Sequence, residues 1–129
     1  MSRMDKLNQL FKREIGNMIL RGEVSDPRIR FVTITFADIS KDLSYAHIGF
    51  SVLSDDPRDV ESAQAGLDSA RGRVRKLMGG KVEIRHIPEI RFVYDKSIAD
   101  AVRMSRKFEE IRRERGPDQP GQESREGAA

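Results

Sequence analysis

The residues able to do chemistry in this chain of 129 residues are few and unevenly placed. There is no cysteine, which excludes disulfides, thiolate metal sites and cysteine nucleophiles. The two histidines, His47 and His86, each stand in a strand-like stretch without a recognisable acid or nucleophile beside them. Asp26, Asp38, Asp42 and Asp95 could be drawn together as a metal cluster, but each falls at a turn or strand end, where aspartate serves local hydrogen bonding. No HxxxH, HExxH or DxDxDG spacing occurs, and there is no Walker-type or GxGxxG loop. Acid–base, metal-assisted and nucleotide-dependent catalysis therefore have little support.

Positive charge is the exception. Between positions 71 and 91 lie seven Lys/Arg (Arg71, Arg73, Arg75, Lys76, Lys81, Arg85 and Arg91) against Glu83 and Glu89, a local net of +5 in a chain whose formal net charge is +3. Arg71 lies within an interruption, Ala70-Arg71-Gly72, and the next three follow it in a helical pattern that stops at Gly79-Gly80. A helix restarting there would present unpaired N–H groups and a positive dipole end to an anion. Forked guanidinium donors suit phosphate oxygens, and Gly72 leaves room for another backbone. The chemistry on offer is phosphate-backbone binding; the plain alternative is an amphipathic helix whose charges are merely solvated. A basic protein–protein adaptor docking on an acidic partner is the competing function, and a metal-dependent hydrolase using the aspartates is a third.

The elements that must position this cluster follow from periodicity. Residues 3–22 carry Leu7, Leu10, Phe11, Ile15, Met18 and Ile19 at helical spacing, with Gly22 as a stop. Arg3, Lys6, Lys12 and Arg13 on its other side read as a solvated face. In 31–40 and 44–53, apolar and polar residues alternate, with Val32, Ile34 and Phe36 on one face of the first strand and Ala46, Ile48, Phe50 and Val52 on one face of the second, joined as a hairpin through Lys41-Asp42-Leu43. Ser54-Asp55-Asp56 before Pro57 is a helix start, and Val60, Ala63, Leu67, Ala70, Val74 and Met78 form the longest helical stripe in the chain. Residues 81–94 read as a third strand with Pro88 marking an edge, bulge or bend, and 97–114 as a last helix. The expected architecture is α+β: one antiparallel three-stranded sheet with helices packed on one face. It forms one domain over 1–115, followed by a disordered tail, 116–129, rich in Pro and Gly. No apolar run approaches the ~18 residues of a membrane helix, and the N-terminus lacks the apolar core of a signal peptide. The expected compartment is the cytoplasm.

Several stretches, taken in order, resemble the ribosome-binding factor A family. They are Ser25-Asp26-Pro27-Arg28-Ile29 followed by Val32-Thr33-Ile34-Thr35, then Ile39-Ser40-Lys41-Asp42-Leu43-Ser44-Tyr45-Ala46, Ala70-Arg71-Gly72, and the run from Arg85 through Pro88 and Tyr94 to Ile98. The resemblance implies a type II KH-like fold, α-β-β-α-kink-α-β, in which Ala70-Arg71-Gly72 is the kink of an interrupted helix. It implies binding to the free small ribosomal subunit and its RNA, and help in late maturation of that RNA near its 5′ end, with a role in the cold. It also implies a protein without catalytic residues or cofactor. The family's RNA-binding surface falls on Arg71, Gly72, Arg73, Arg75 and Lys76; Lys81, Arg85 and Arg91 join it on charge alone. We expect a monomer with neither a membrane nor a small-molecule partner.

Overall fold

A computed structural model of the chain describes residues 1–54 and 56–115. The expectation for the tail, 116–129, lies outside the described residues. Two compact units are present, Met1–Lys96 and a second from Ser97 onward. The domain expected over 1–115 takes in parts of both.

Helix α1 spans Arg3–Arg21 and is closed by local chemistry at both ends. The Ser2 hydroxyl accepts from the Asp5 amide at 3.0 Å, while the Asp5 carboxylate accepts from the Ser2 N–H at 3.2 Å, a reciprocal capping box. Gly22 turns left-handed at φ 77°, and its N–H donates back to the Ile19 carbonyl. Phe11, Ile15 and Met18 bury fully, as their spacing predicts.

A short 3₁₀ turn, Pro27–Ile29, follows and drops Ile29 into the core. Asp26 caps it, accepting from the Arg28 amide at 2.9 Å and from the Arg28 guanidinium at 2.8 and 3.0 Å. The guanidinium first, and the amide second, pull the Asp26 carboxyl down from 3.8 to about 2. A depressed carboxyl pKa adds stability that is complete above the unfolded value and is lost as pH falls through the folded one. Asp26→Asn should therefore lower the unfolding temperature at neutral pH and shrink the deficit progressively between the unfolded value of 3.8 and about 2. Thermal unfolding of both proteins across that range checks it; a deficit independent of pH would refute the assignment.

The sheet contains β1 (Val32–Ile39), β2 (Tyr45–Val52) and β3 (Glu89–Tyr94) in the order β1-β2-β3. The β1–β2 hairpin is antiparallel as expected. β3 is not: it runs parallel to β2, with Ala46 opposite Ile90 and Phe50 opposite Tyr94, so the sheet is mixed. A parallel partner needs a long crossover, and α2 (Pro57–Gly79) supplies it. The third strand is also shorter than its sequence pattern. Residues 82–88 are irregular, and Pro88, which lacks an N–H for a ladder, sits buried just ahead of β3.

Phe36 departs from its predicted place. The register slips between Ile34 and Phe36, so Ala37 and Ile39 take the inward positions opposite Ile48 and Ala46. Phe36 turns to the outer face, 37% exposed, and lies across Gly49 so closely that a Cβ on Gly49 would overlap its ring. The inner face (Ile34, Ile39, Ala46, Ile48, Phe50, Ile90 and Phe92) forms one core with α1 and with Ala63, Leu67, Val74 and Met78 of α2. α1 packs on β1 and α2 on β3, which places the helices on one face of the sheet.

Helix α2 starts as its sequence predicts. Asp56 caps it, accepting from the Arg58 amide at 2.9 Å, and Pro57 occupies the first turn. It does not break at Ala70-Arg71-Gly72; the helix is continuous from Pro57 to Gly79. Two central glycines cost about 1 kcal/mol each in propensity. Burying Leu67, Val74 and Met78 on either side of position 72 outweighs that, since each such side chain contributes about 1.5–3 kcal/mol. In the second unit, α3 (Lys96–Arg115) carries short ion pairs along its length, Arg103–Asp100 at 3.2 Å and Arg112–Glu109 at 3.6 Å. No helix among the described residues is long and apolar enough to cross a membrane.

Candidate nucleic-acid interface

Because α2 continues through Gly72, the interior helix start foreseen as an anion site does not exist, and the cationic site is built from side chains alone. At 100° per residue, Val74 and Met78 point into the core. Arg71 and Arg75 then lie one turn apart along one edge of the exposed face, Arg73 along the other, and Lys76 near its centre, one turn after Gly72. All four are exposed. Gly72 lies between the two edges, and a Cβ there would meet nothing within 4 Å. Gly66, six residues earlier, is different: its Cβ would stand 2.9 Å from Ile29 Cγ2, so close packing against the 3₁₀ turn demands that glycine. Gly72 has no such internal reason and leaves bare backbone between the flanking cations.

The arginines are held in place rather than loose. Arg73 Nε donates to the Glu23 carbonyl at 2.9 Å, across the chain from the end of α1. Arg75 Nε donates to the Ile87 carbonyl at 3.0 Å, and its Nη2 lies 3.5 Å from His86 Nε2. Arg71 Nε reaches only the Asp68 carbonyl of its own helix, at 3.3 Å. Each Nε bond fixes one edge of a guanidinium plane and leaves Nη donors for a ligand. The acidic residues of α2 (Asp59, Glu61, Asp68) and its cap Asp56 all precede Arg71, so the helix is polarised along its length.

The remaining sequence-nominated cations divide. Arg85 is exposed in the irregular segment before β3. Lys81 is engaged by Glu23, Nζ to Oε1 at 3.5 Å, and is only 25% exposed. Arg91 sits on β3 between the buried Ile90 and Phe92, and therefore projects from the sheet face opposite the helices. There it pairs with Glu89 at 3.0 Å, its guanidinium 4.0 Å above the Tyr45 ring. The structure thus brings Arg71, Gly72, Arg73, Arg75 and Lys76 together and places Arg91 elsewhere. Arg28 approaches the same helix unannounced, its Nη2 3.5 Å from Ser69 Oγ. No sequence signal joins positions 41 apart through a 3₁₀ turn.

Among the nominated aspartates, Asp26 is occupied as a cap and Asp42 within the hairpin turn. Asp42 accepts from the Ser40 hydroxyl at 2.8 Å and the Ser44 amide at 3.0 Å, which holds its carboxyl below the usual range.

Fold and surface together define a small α+β binding domain: a mixed three-stranded sheet backed by helices, one of which presents a continuous cationic face. A family model described as ribosome-binding factor A matches residues 3–108, and the chain belongs to the ribosome-binding factor A family. It is 38% identical over 111 residues to the ribosome-binding factor A of Lacticaseibacillus casei, covering 86% of this chain and 94% of that one. It is 40% identical over 109 residues to that of Limosilactobacillus reuteri, covering 84% and 91%. Among solved structures it is similar to the crystal structure of ribosome-binding factor A from Thermus thermophilus, with a TM-score of 0.62 at 23% identity over 70% of this chain and 93% of that one. A solution structure from Thermotoga maritima, described as a putative ribosome binding factor A, matches with a TM-score of 0.55 at 27% identity over 67% and 85%. A Thermus thermophilus homology model fitted into the cryo-EM map of a complex with the 30S subunit matches with a TM-score of 0.58 at 21% identity over 75% and 97%.

Proposed function

We propose that this protein binds the free small ribosomal subunit as an assembly factor, gripping its RNA through the exposed face of the second half of α2. The observation that carries the reading is the cationic strip itself: Arg71, Arg73, Arg75 and Lys76 around bare backbone at Gly72, on a helix whose acidic residues all precede them. Family membership supports it, as does the 30S complex of the Thermus thermophilus relative. The mode of action is binding rather than catalysis: phosphate contacts hold an RNA conformation, selected by shape more than by base edges. On the family reading, the RNA concerned is small-subunit RNA late in maturation, near its 5′ end, in the cytoplasm and with particular need in the cold. The protein acts as a monomer and takes no small-molecule substrate. Arg85 extends the strip, whereas Arg91 and Lys81, already committed to Glu89 and Glu23, contribute less.

Co-sedimentation with isolated small subunits and with complete ribosomes, at two salt concentrations, tests the reading. The expected result is association with the free subunit alone, falling steeply with salt. Association with neither particle would overturn it. Gly72→Ala supplies an independent check. With open space around the new Cβ, the variant should gain about 1 kcal/mol in urea unfolding and yet bind the subunit several-fold more weakly. A variant that is both more stable and equally tight would show that nothing approaches the helix at Gly72.

A further inference from the structure

A second surface lies away from the cationic strip. The first turns of α1, the hairpin turn at Leu43 and Ile84 of the segment before β3 enclose a groove of about 490 Å³. That is within the ~300–1,000 Å³ range of binding clefts. Its floor is aliphatic, formed by Met4, Leu7, Leu10, Leu43 and Ile84, all half-buried and continuous with the core. Its other lining residues are Arg3 and Lys6, and no acidic side chain lines it. The nearest carboxylate in sequence, Asp5, is turned back to cap α1. Neither Arg3 nor Lys6 forms an ion pair among the described residues.

Leu43 adds an independent observation. It is the one non-glycine among the described residues with positive φ, 62°, a left-handed conformation that asparagine or glycine adopts at far less cost. A hairpin needing only a turn is better served by those residues. Leucine there places an aliphatic side chain at the mouth of the groove.

We propose that this groove docks a protein segment presenting apolar side chains flanked by carboxylates. An aliphatic floor would cover the apolar side chains, and the unpaired Arg3 and Lys6 would meet the acidic flanks. RNA fits less well, because the groove has no aromatic plane on which a base could stack. The site is independent of the subunit-binding reading, since it shares no residue with α2.

The test selects random phage-displayed peptides on the intact chain and measures the enriched peptide by fluorescence anisotropy and methyl NMR. The expected peptide carries apolar residues with Asp or Glu beside them, and it shifts the Met4, Leu7, Leu10, Leu43 and Ile84 methyls. Arg3→Glu with Lys6→Glu should weaken it at least about tenfold. Acidic residues in the first turn of a helix favour folding, so this variant stays folded. Leu43→Asn, which relieves the left-handed leucine, should weaken the peptide several-fold. Failure to enrich any acidic–apolar peptide, or unchanged affinity in the charge-reversed variant, would overturn the proposal. If the charge-reversed variant instead loses small-subunit co-sedimentation while still holding the peptide, the basic rim belongs to RNA and the proposal also fails.

Discussion

Replacing Arg71 and Lys76 together by glutamate is expected to weaken small-subunit association at least about tenfold, or roughly 1.4 kcal/mol, without unfolding the protein. The structure dictates this pair. Arg73 and Arg75 also lie on the strip, but their Nε atoms bond the Glu23 and Ile87 carbonyls, so reversing them would disturb the joints between α2 and its neighbouring loops as well. Arg71 bonds only within its own helix, and Lys76 is exposed at the centre of the outward face. Each lost phosphate contact should also flatten the dependence of log affinity on log salt by about 0.7–0.9. Two lost contacts thus leave a thermodynamic signature, a flatter salt slope, that misfolding does not imitate. Sedimentation across a salt series, beside a thermal melt of the same variant, checks both. Wild-type affinity and slope would remove α2 from the interface.

Phe50→Ala is expected to cost about 3–5 kcal/mol, a large part of the ~5–15 kcal/mol that holds a domain of this size together. Phe50 sits on the central strand, fully buried, with its ring 5.8 Å from Tyr94 and tilted by 56°. It faces Ile34 on one neighbouring strand and Tyr94 on the other, and its carbonyl accepts the Asp95 amide at 2.7 Å. A cavity there loosens both sheet seams at once. The unfolding temperature should fall by at least about 12 °C. Phe36→Ala provides the contrast: half-exposed on the outer face, it should cost under about 1.5 kcal/mol. Equal losses for the two variants would mean that the bulge after Ile34 is misplaced.

The two phenylalanines show where local sequence stops being informative. The alternating patterns of β1 and β2 are equally regular, and by pattern alone Phe36 and Phe50 are both inward residues. A bulge of one residue reverses every later side chain, and its position depends on which strand lies alongside, not on the bulged strand. The same holds for β3. Its apolar alternation was readable, but its direction was not, because a parallel partner is set by how α2 crosses over the sheet. Charge spacing likewise concentrated the cations correctly and yet could not separate Arg91, sent to the outer face by the pleat, from Arg71 through Lys76.

What the sequence by itself determined were the features whose causes are local. These are Gly22 that ends α1, the Asp56-Pro57 start of α2, the hairpin through Asp42, the buried helical stripe and the polarisation of α2. Each rests on residues within one or two turns of one another. The tertiary structure decided the continuity of α2 through Gly72, the mixed sheet and the division of the basic residues. It also decided the approach of Arg28 to Ser69 and the groove closed by Leu43 and Ile84. Those depend on burial and on backbone approach between segments far apart in the chain, where packing free energies of several kcal/mol outweigh propensities of about one.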